Sequence, residues 1–159
     1  MAMTEISGRV GGGLGGFSVR CDVTEDRITG RMGGALRGGD LNLELTDSDI
    51  TGRIGGGVIG RDVVLRRGQD RIDGRLGGAV DGRDLRLEGT REIRGRVGGD
   101  TLGFSCDLRW QDGRLTGRLG GEMMGHSVDM TGSDPLLTAL VACLTHYYYK
   151  VTARRSNAR

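Results

Sequence analysis

The chain reads as an all-β protein in which six β-hairpin repeats close into a 12-stranded antiparallel barrel around a C-terminal apolar α-helix. Three features of its 159 residues predict this. A five-residue phrase, GR-x-GG, recurs six times at near-constant spacing. Apolar and polar residues alternate on both sides of each recurrence, which is the period of a half-buried strand. One run free of charge, residues 135–149, follows the last repeat.

The elements follow in order from the repeat. Its arginines are Arg9, Arg31, Arg53, Arg75, Arg96 and Arg118, at intervals of 22, 22, 22, 21 and 22 residues. An apolar residue stands three before each (Ile6, Ile28, Ile50, Ile72, Ile93, Leu115) and another directly after (Val10, Met32, Ile54, Leu76, Val97, Leu119). With the glycine between them, these form the inward face of one strand, and the arginine points outward. The second half of each unit alternates as well, as in DLNLEL at 40–45, DLRLE at 84–88 and FSCDLRW at 104–110. A glycine-bearing turn joins the halves, and Asp81-Gly82 suits a two-residue type I′ turn. That register sets Arg9 opposite Asp22, Arg31 opposite Glu44 and Arg75 opposite Glu88. It leaves Arg53, Arg96 and Arg118 facing Arg66, Arg109 and Thr131.

After the sixth hairpin, Ser133 or Asp134 can cap a helix, and Pro135 fits its first position. A helix apolar all round is buried in protein or in lipid. This run has 15 residues, short of the ~20 that span a bilayer. Twelve strands fall between the eight that side chains fill and the 16–18 that leave a channel. The bore is then near the ~10–12 Å diameter of a helix. Fifteen helical residues reach ~22 Å and a seven-residue strand ~23 Å, so plug and wall match in length. The inward glycines Gly8, Gly30, Gly52, Gly74, Gly95 and Gly117 are expected to make room for the plug. The organisation predicted is a single domain, 1–159, with hairpins over 5–133, a hydrophobic helix over 134–153 and a basic tail over 154–159. A β-solenoid, or an open sheet with a packed helix, is the alternative. A cross-β stack is disfavoured by the dense, phased Arg/Asp pattern.

Twelve antiparallel strands followed by an apolar C-terminal helix resemble the Tubby-like superfamily, which includes Tubby proteins, LURP-one-related proteins and phospholipid scramblases. The resemblance lies in strand count and order over 5–153, and no functional residue carries over from it. It implies a closed barrel around the C-terminal helix. It also implies membrane association, since Tubby domains bind phosphoinositides through basic surface residues and scramblases act at bilayers.

Composition narrows the function. Charge nearly balances, with 23 basic and 21 acidic residues, and the last ten residues hold four basic and no acidic groups. The body therefore lacks the field expected of a nucleic-acid binder. Three cysteines without a C-x-x-C pair argue against a disulfide framework and against zinc. MAMTEISGRV has no basic region followed by an apolar stretch, so a cytoplasmic location is expected, peripheral at a membrane. Asp47 and Asp49 lack a calcium-loop frame, and GGGLGG at 11–16 lacks the helix and Lys-Ser/Thr of a phosphate loop. No metal or cofactor is expected. Ser105 and Ser127 occupy the slot that Asp40, Asp62 and Asp84 fill elsewhere, which reads as a strand-edge position rather than a nucleophile. His126 and His146 read as rim residues.

The remaining candidates are cationic. Six in-phase guanidinium groups, Arg9, Arg31, Arg53, Arg75, Arg96 and Arg118, can grip anionic lipid heads or an acidic partner. Lys150, Arg154 and Arg155 can add to that patch. The competing reading of the ladder is a solvated outer face neutralised by acids across the hairpin. The function expected is a non-enzymatic intracellular binding or adaptor module, associating with anionic lipid or a protein partner. The alternative is a self-assembling structural protein or a membrane-anchored scaffold.

Overall fold

The computed structural model of the chain describes residues 3–11, 16–33, 38–56, 60–77, 82–98, 103–120 and 125–157, with 151–157 described for backbone only. Twelve strands follow in sequence: β1 (Thr4–Val10), β2 (Phe17–Val23), β3 (Arg27–Met32), β4 (Gly39–Leu45), β5 (Asp49–Gly55), β6 (Gly60–Gly68), β7 (Arg71–Leu76), β8 (Arg83–Glu88), β9 (Glu92–Gly98), β10 (Gly103–Gln111), β11 (Arg114–Leu119) and β12 (His126–Thr131). Each pairs antiparallel with its neighbours in the chain, and β1 pairs with β12, so the sheet is a closed barrel. A solenoid or an open sheet is not what these repeats form.

The single helix, α1 (Pro135–Asn157), runs through the barrel. Asp134 is its cap, accepting a hydrogen bond from the Leu137 N–H at 3.0 Å. Residues 137–148 are buried without a break. That continuous burial covers every side of the helix, as its lack of an apolar stripe requires. α1 packs against β1, β2, β5 and β8 through β12. Its two buried threonines turn their hydroxyls back to backbone carbonyls one turn earlier, Thr138 to that of Asp134 at 2.7 Å and Thr145 to that of Val141 at 2.8 Å. Neither leaves an unpaired polar group in the core.

The wall alternates as the sequence predicts, and every strand turns at least one charged side chain outward. This is the inverse of a membrane-spanning barrel, which shows lipid an apolar band. No described helix is long and apolar enough to cross a membrane.

The register differs from the expected one by four residues in every hairpin. Arg75 stands opposite Asp84 rather than Glu88, and Leu76 opposite Arg83 rather than Leu87. The hairpin is joined by residues 77–82, not by a two-residue turn, and Asp81 lies outside the described residues. A shift of four keeps every side chain on its face, so apolar alternation cannot tell the two registers apart. The outer face can. The actual pairing sets all six repeat arginines opposite an acceptor: Ser18, Asp40, Asp62, Asp84, Ser105 and Ser127. The Asp-Gly type I′ turn does occur, between units. Asp112 (φ 51°) and Gly113 (φ 81°) join β10 to β11.

The inward glycines also serve a different purpose from the one expected. A Cβ on Gly8 would lie 2.3 Å from the Asp129 carbonyl oxygen, and one on Gly117 2.2 Å from that of Asp107. What they admit is the backbone of the neighbouring strand, not the plug. Room for α1 is made elsewhere, at Gly39 under the Tyr148 ring and at Gly132 beside the Thr138 hydroxyl.

Candidate functional site

The hairpin connections, which are long at one end of the barrel and short at the other, make the two ends different. The end with the long connections is the mouth, where α1 leaves the barrel. One or two residues below the last pair of each hairpin, the six repeat arginines form an outward belt. Arg31, Arg53 and Arg75 donate to Asp40, Asp62 and Asp84 at 3.0, 2.8 and 3.0 Å. Arg9, Arg96 and Arg118 donate to Ser18, Ser105 and Ser127 at 3.3, 2.8 and 3.4 Å. Along the belt, carboxylate partners thus lie on β4, β6 and β8 and hydroxyl partners on β2, β10 and β12.

The first inward position of each even-numbered strand lies on the rim: Phe17, Gly39, Arg61, Arg83, Phe104 and His126. These residues keep the repeat's phase yet differ in chemistry, and sequence reasoning read His126 as a rim position and took none of the six as a binding candidate. The shared phase was the signal that could have found the ring. Its aromatic members grip the last buried turn of α1. Phe17 meets Tyr149 edge-on at 5.0 Å between centroids, Phe104 meets His146 at 4.4 Å, and His126 meets Tyr149 at 5.2 Å. The Lys150 ammonium sits 5.8 Å from the Phe104 ring centre. On β6 and β8 the part-buried Arg61 and Arg83 each donate to the preceding glycine carbonyl, both at 3.2 Å.

Two imidazoles meet at this mouth, with His126 Nδ1 3.1 Å from His146 Nδ1. Burial, then the charges of His126 and Lys150, push His146 down to about 3. Burial, then Lys150 and Arg118, lower His126 as well. Both rings are therefore neutral at pH 7, and one Nδ1–H donates to the other. His146 Nε2 is buried with no hydrogen-bond partner among the described residues. No group of three or more His, Cys, Asp or Glu among the described residues could hold a metal ion.

Charge separates the two ends. Among described side chains the mouth carries nine cations (the belt, Arg61, Arg83 and Lys150) against three acids, Asp40, Asp62 and Asp84. Arg154 and Arg155 lie on the helix backbone that continues beyond it. At the opposite end, the short turns and the helix cap hold Glu25, Asp26, Asp47, Asp70, Asp112 and Asp134, against Arg91 in a turn and Arg67 near the end of β6. α1 runs from the acidic end to the basic one, so each charged end faces the opposite partial charge of the helix dipole. A cleft of about 200 Å³ lies at the acidic end, between Arg67, Asp70, Thr90, Asp134 and Leu136. It is smaller than the ~300 Å³ at which small-molecule sites begin.

All nine residues predicted from sequence as binding residues belong to the mouth end: six in the belt, Lys150 at the last position of α1 whose side chain is described, and Arg154 and Arg155 on the continuing helix backbone. No protein-family model matches the chain, and neither a curated protein nor a solved structure does.

Proposed function

We propose that this protein is a binding module, not a catalyst, and that its mouth docks on an anionic membrane surface. The observation that carries this is the gathering of nine cations and the emerging helix at one end of the barrel. Near an anionic leaflet each basic residue contributes about 1 kcal/mol. A handful acting together holds a protein at the surface without insertion. The Tubby-like likeness belongs to the same proposal, because a closed barrel around a C-terminal helix is the architecture on which that superfamily binds anionic lipid. The closed sheet leaves no strand edge for the self-assembling alternative. The apolar part of α1 is enclosed by the wall, which works against its use as an anchor.

Flotation with vesicles tests the proposal. Vesicles containing phosphatidylserine or a phosphoinositide should carry the protein upward at low salt, and purely zwitterionic vesicles should not. Binding should weaken steeply as salt shortens the screening length. Flotation indifferent to lipid charge would overturn the reading.

A further inference from the structure

Cys106 on β10 and Cys143 on α1 are 37 residues apart in the chain, yet their sulfurs lie 3.2 Å apart inside the barrel. Both thiols are free and buried. A disulfide needs the sulfurs at about 2.0 Å, so roughly one ångström of approach separates this pair from a bond. The third cysteine, Cys21 on β2, is buried where the wall meets Ile6 and Gly30. The pair joins a strand of the wall to the plug deep in the barrel, below the polar contacts that link the two at the mouth.

We propose that Cys106 and Cys143 are an oxidative modification site, at which a disulfide pins α1 to the barrel wall. Hydrogen peroxide serves as the oxidant. One thiol gives up its proton, its thiolate sulfur attacks a peroxide oxygen, the O–O bond breaks, and the leaving hydroxide takes up that proton, so that a sulfenic acid and one water result. The second thiol sulfur then displaces the sulfenic hydroxyl, which leaves with a proton as a second water. Two S–H bonds and one O–O bond are lost, and one S–S bond and two waters form.

The surroundings set the rate. The hydrogen bond to Cys106, and then burial, push the Cys143 thiol up, so thiolate is scarce in the closed barrel. Oxidation is therefore slow in the native protein and faster when the helix is out, as during refolding. Once made, the bond closes a long loop and favours the folded state.

The test refolds the full chain from urea with and without hydrogen peroxide. Free thiols counted under denaturing conditions should fall from three to one, and peptide mapping should join 106 to 143. The monomer's Tm should rise by about 5 °C or more, and a reductant should reverse both changes. Cys21→Ser should fall from two thiols to none with the same gain in Tm, and Cys106→Ala should gain nothing. A link through Cys21, links between molecules, an unchanged Tm in the oxidised monomer, or three surviving thiols would each overturn the proposal.

Discussion

The glycine that precedes each repeat arginine decides how closely the strands approach. Gly117 has φ 141°, a conformation closed to residues with a Cβ, and an added Cβ would meet the Asp107 carbonyl oxygen and Leu108 Cα. Both atoms are backbone, so neither can turn away. Gly117→Ala should cost about 1–3 kcal/mol, read as a lower urea midpoint with unchanged slope. Gly56→Ala, where nothing lies within 4 Å, is the matched control and should change the midpoint little. Equal effects at both sites would show that close approach is not why the repeat keeps its glycine. The residue's place on the inward face was legible from alternation, but its reason was not. An inward glycine in a one-dimensional pattern reads as space for whatever fills the barrel. Only the neighbouring strand's backbone shows that the space is lateral.

At the level of elements, alternation and spacing carried the prediction of strands, and absence of charge carried that of the plug. Register was legible in principle. Two pairings four residues apart bury the same faces, and only one gives Arg53 and Arg96 an acceptor in place of another arginine, yet the Asp81-Gly82 dipeptide pointed to the other. The Cys106–Cys143 and His126–His146 contacts were hidden for a different reason. Each joins a strand to the helix, and the rotation of a uniformly apolar helix about its axis leaves no mark in its own sequence. The histidine contact has a consequence for how the plug is held. His146 is fully buried with its folded pKa near 3, below the ~6.5 of an unfolded chain, and it packs against His126 and Phe104 with Lys150 nearby. Below pH 6.5 the unfolded chain binds the proton and the folded one does not, so this stability is present above pH 6.5 and is lost on acidification toward 3. The slope is about 1.4 kcal/mol per pH unit for one such group. Urea titrations at pH 7 and pH 5 should show that loss in the wild type and a shallower one in His146→Leu. Parallel pH dependences would remove the imidazole contact from the account of how wall and plug are joined.

Over the whole molecule the near-balance of charge conceals its arrangement. A net charge of +2 says little, whereas a cationic mouth opposite an acidic end makes an oriented particle. The separation of the ends matters physically. Sixteen helical residues between Asp134 and Lys150 span about 24 Å, some three screening lengths at physiological ionic strength. An anionic surface touching the mouth therefore barely senses the acids at the far end, and the protein should bind in one orientation. Two variants of equal net charge separate this from simple attraction. Arg61→Gln with Arg83→Gln removes two rim cations, and at about 1 kcal/mol each the partition onto phosphatidylserine vesicles should fall by about tenfold or more. Arg67→Gln with Arg91→Gln removes two cations from the acidic end and should change partition by less than about twofold. Similar losses in both variants would mean that total charge and not the mouth drives association. A loss confined to the rim variant would tie the six-fold repeat to its purpose, with the repeat arginines setting the charge of the mouth and the rim residues its contact with the surface.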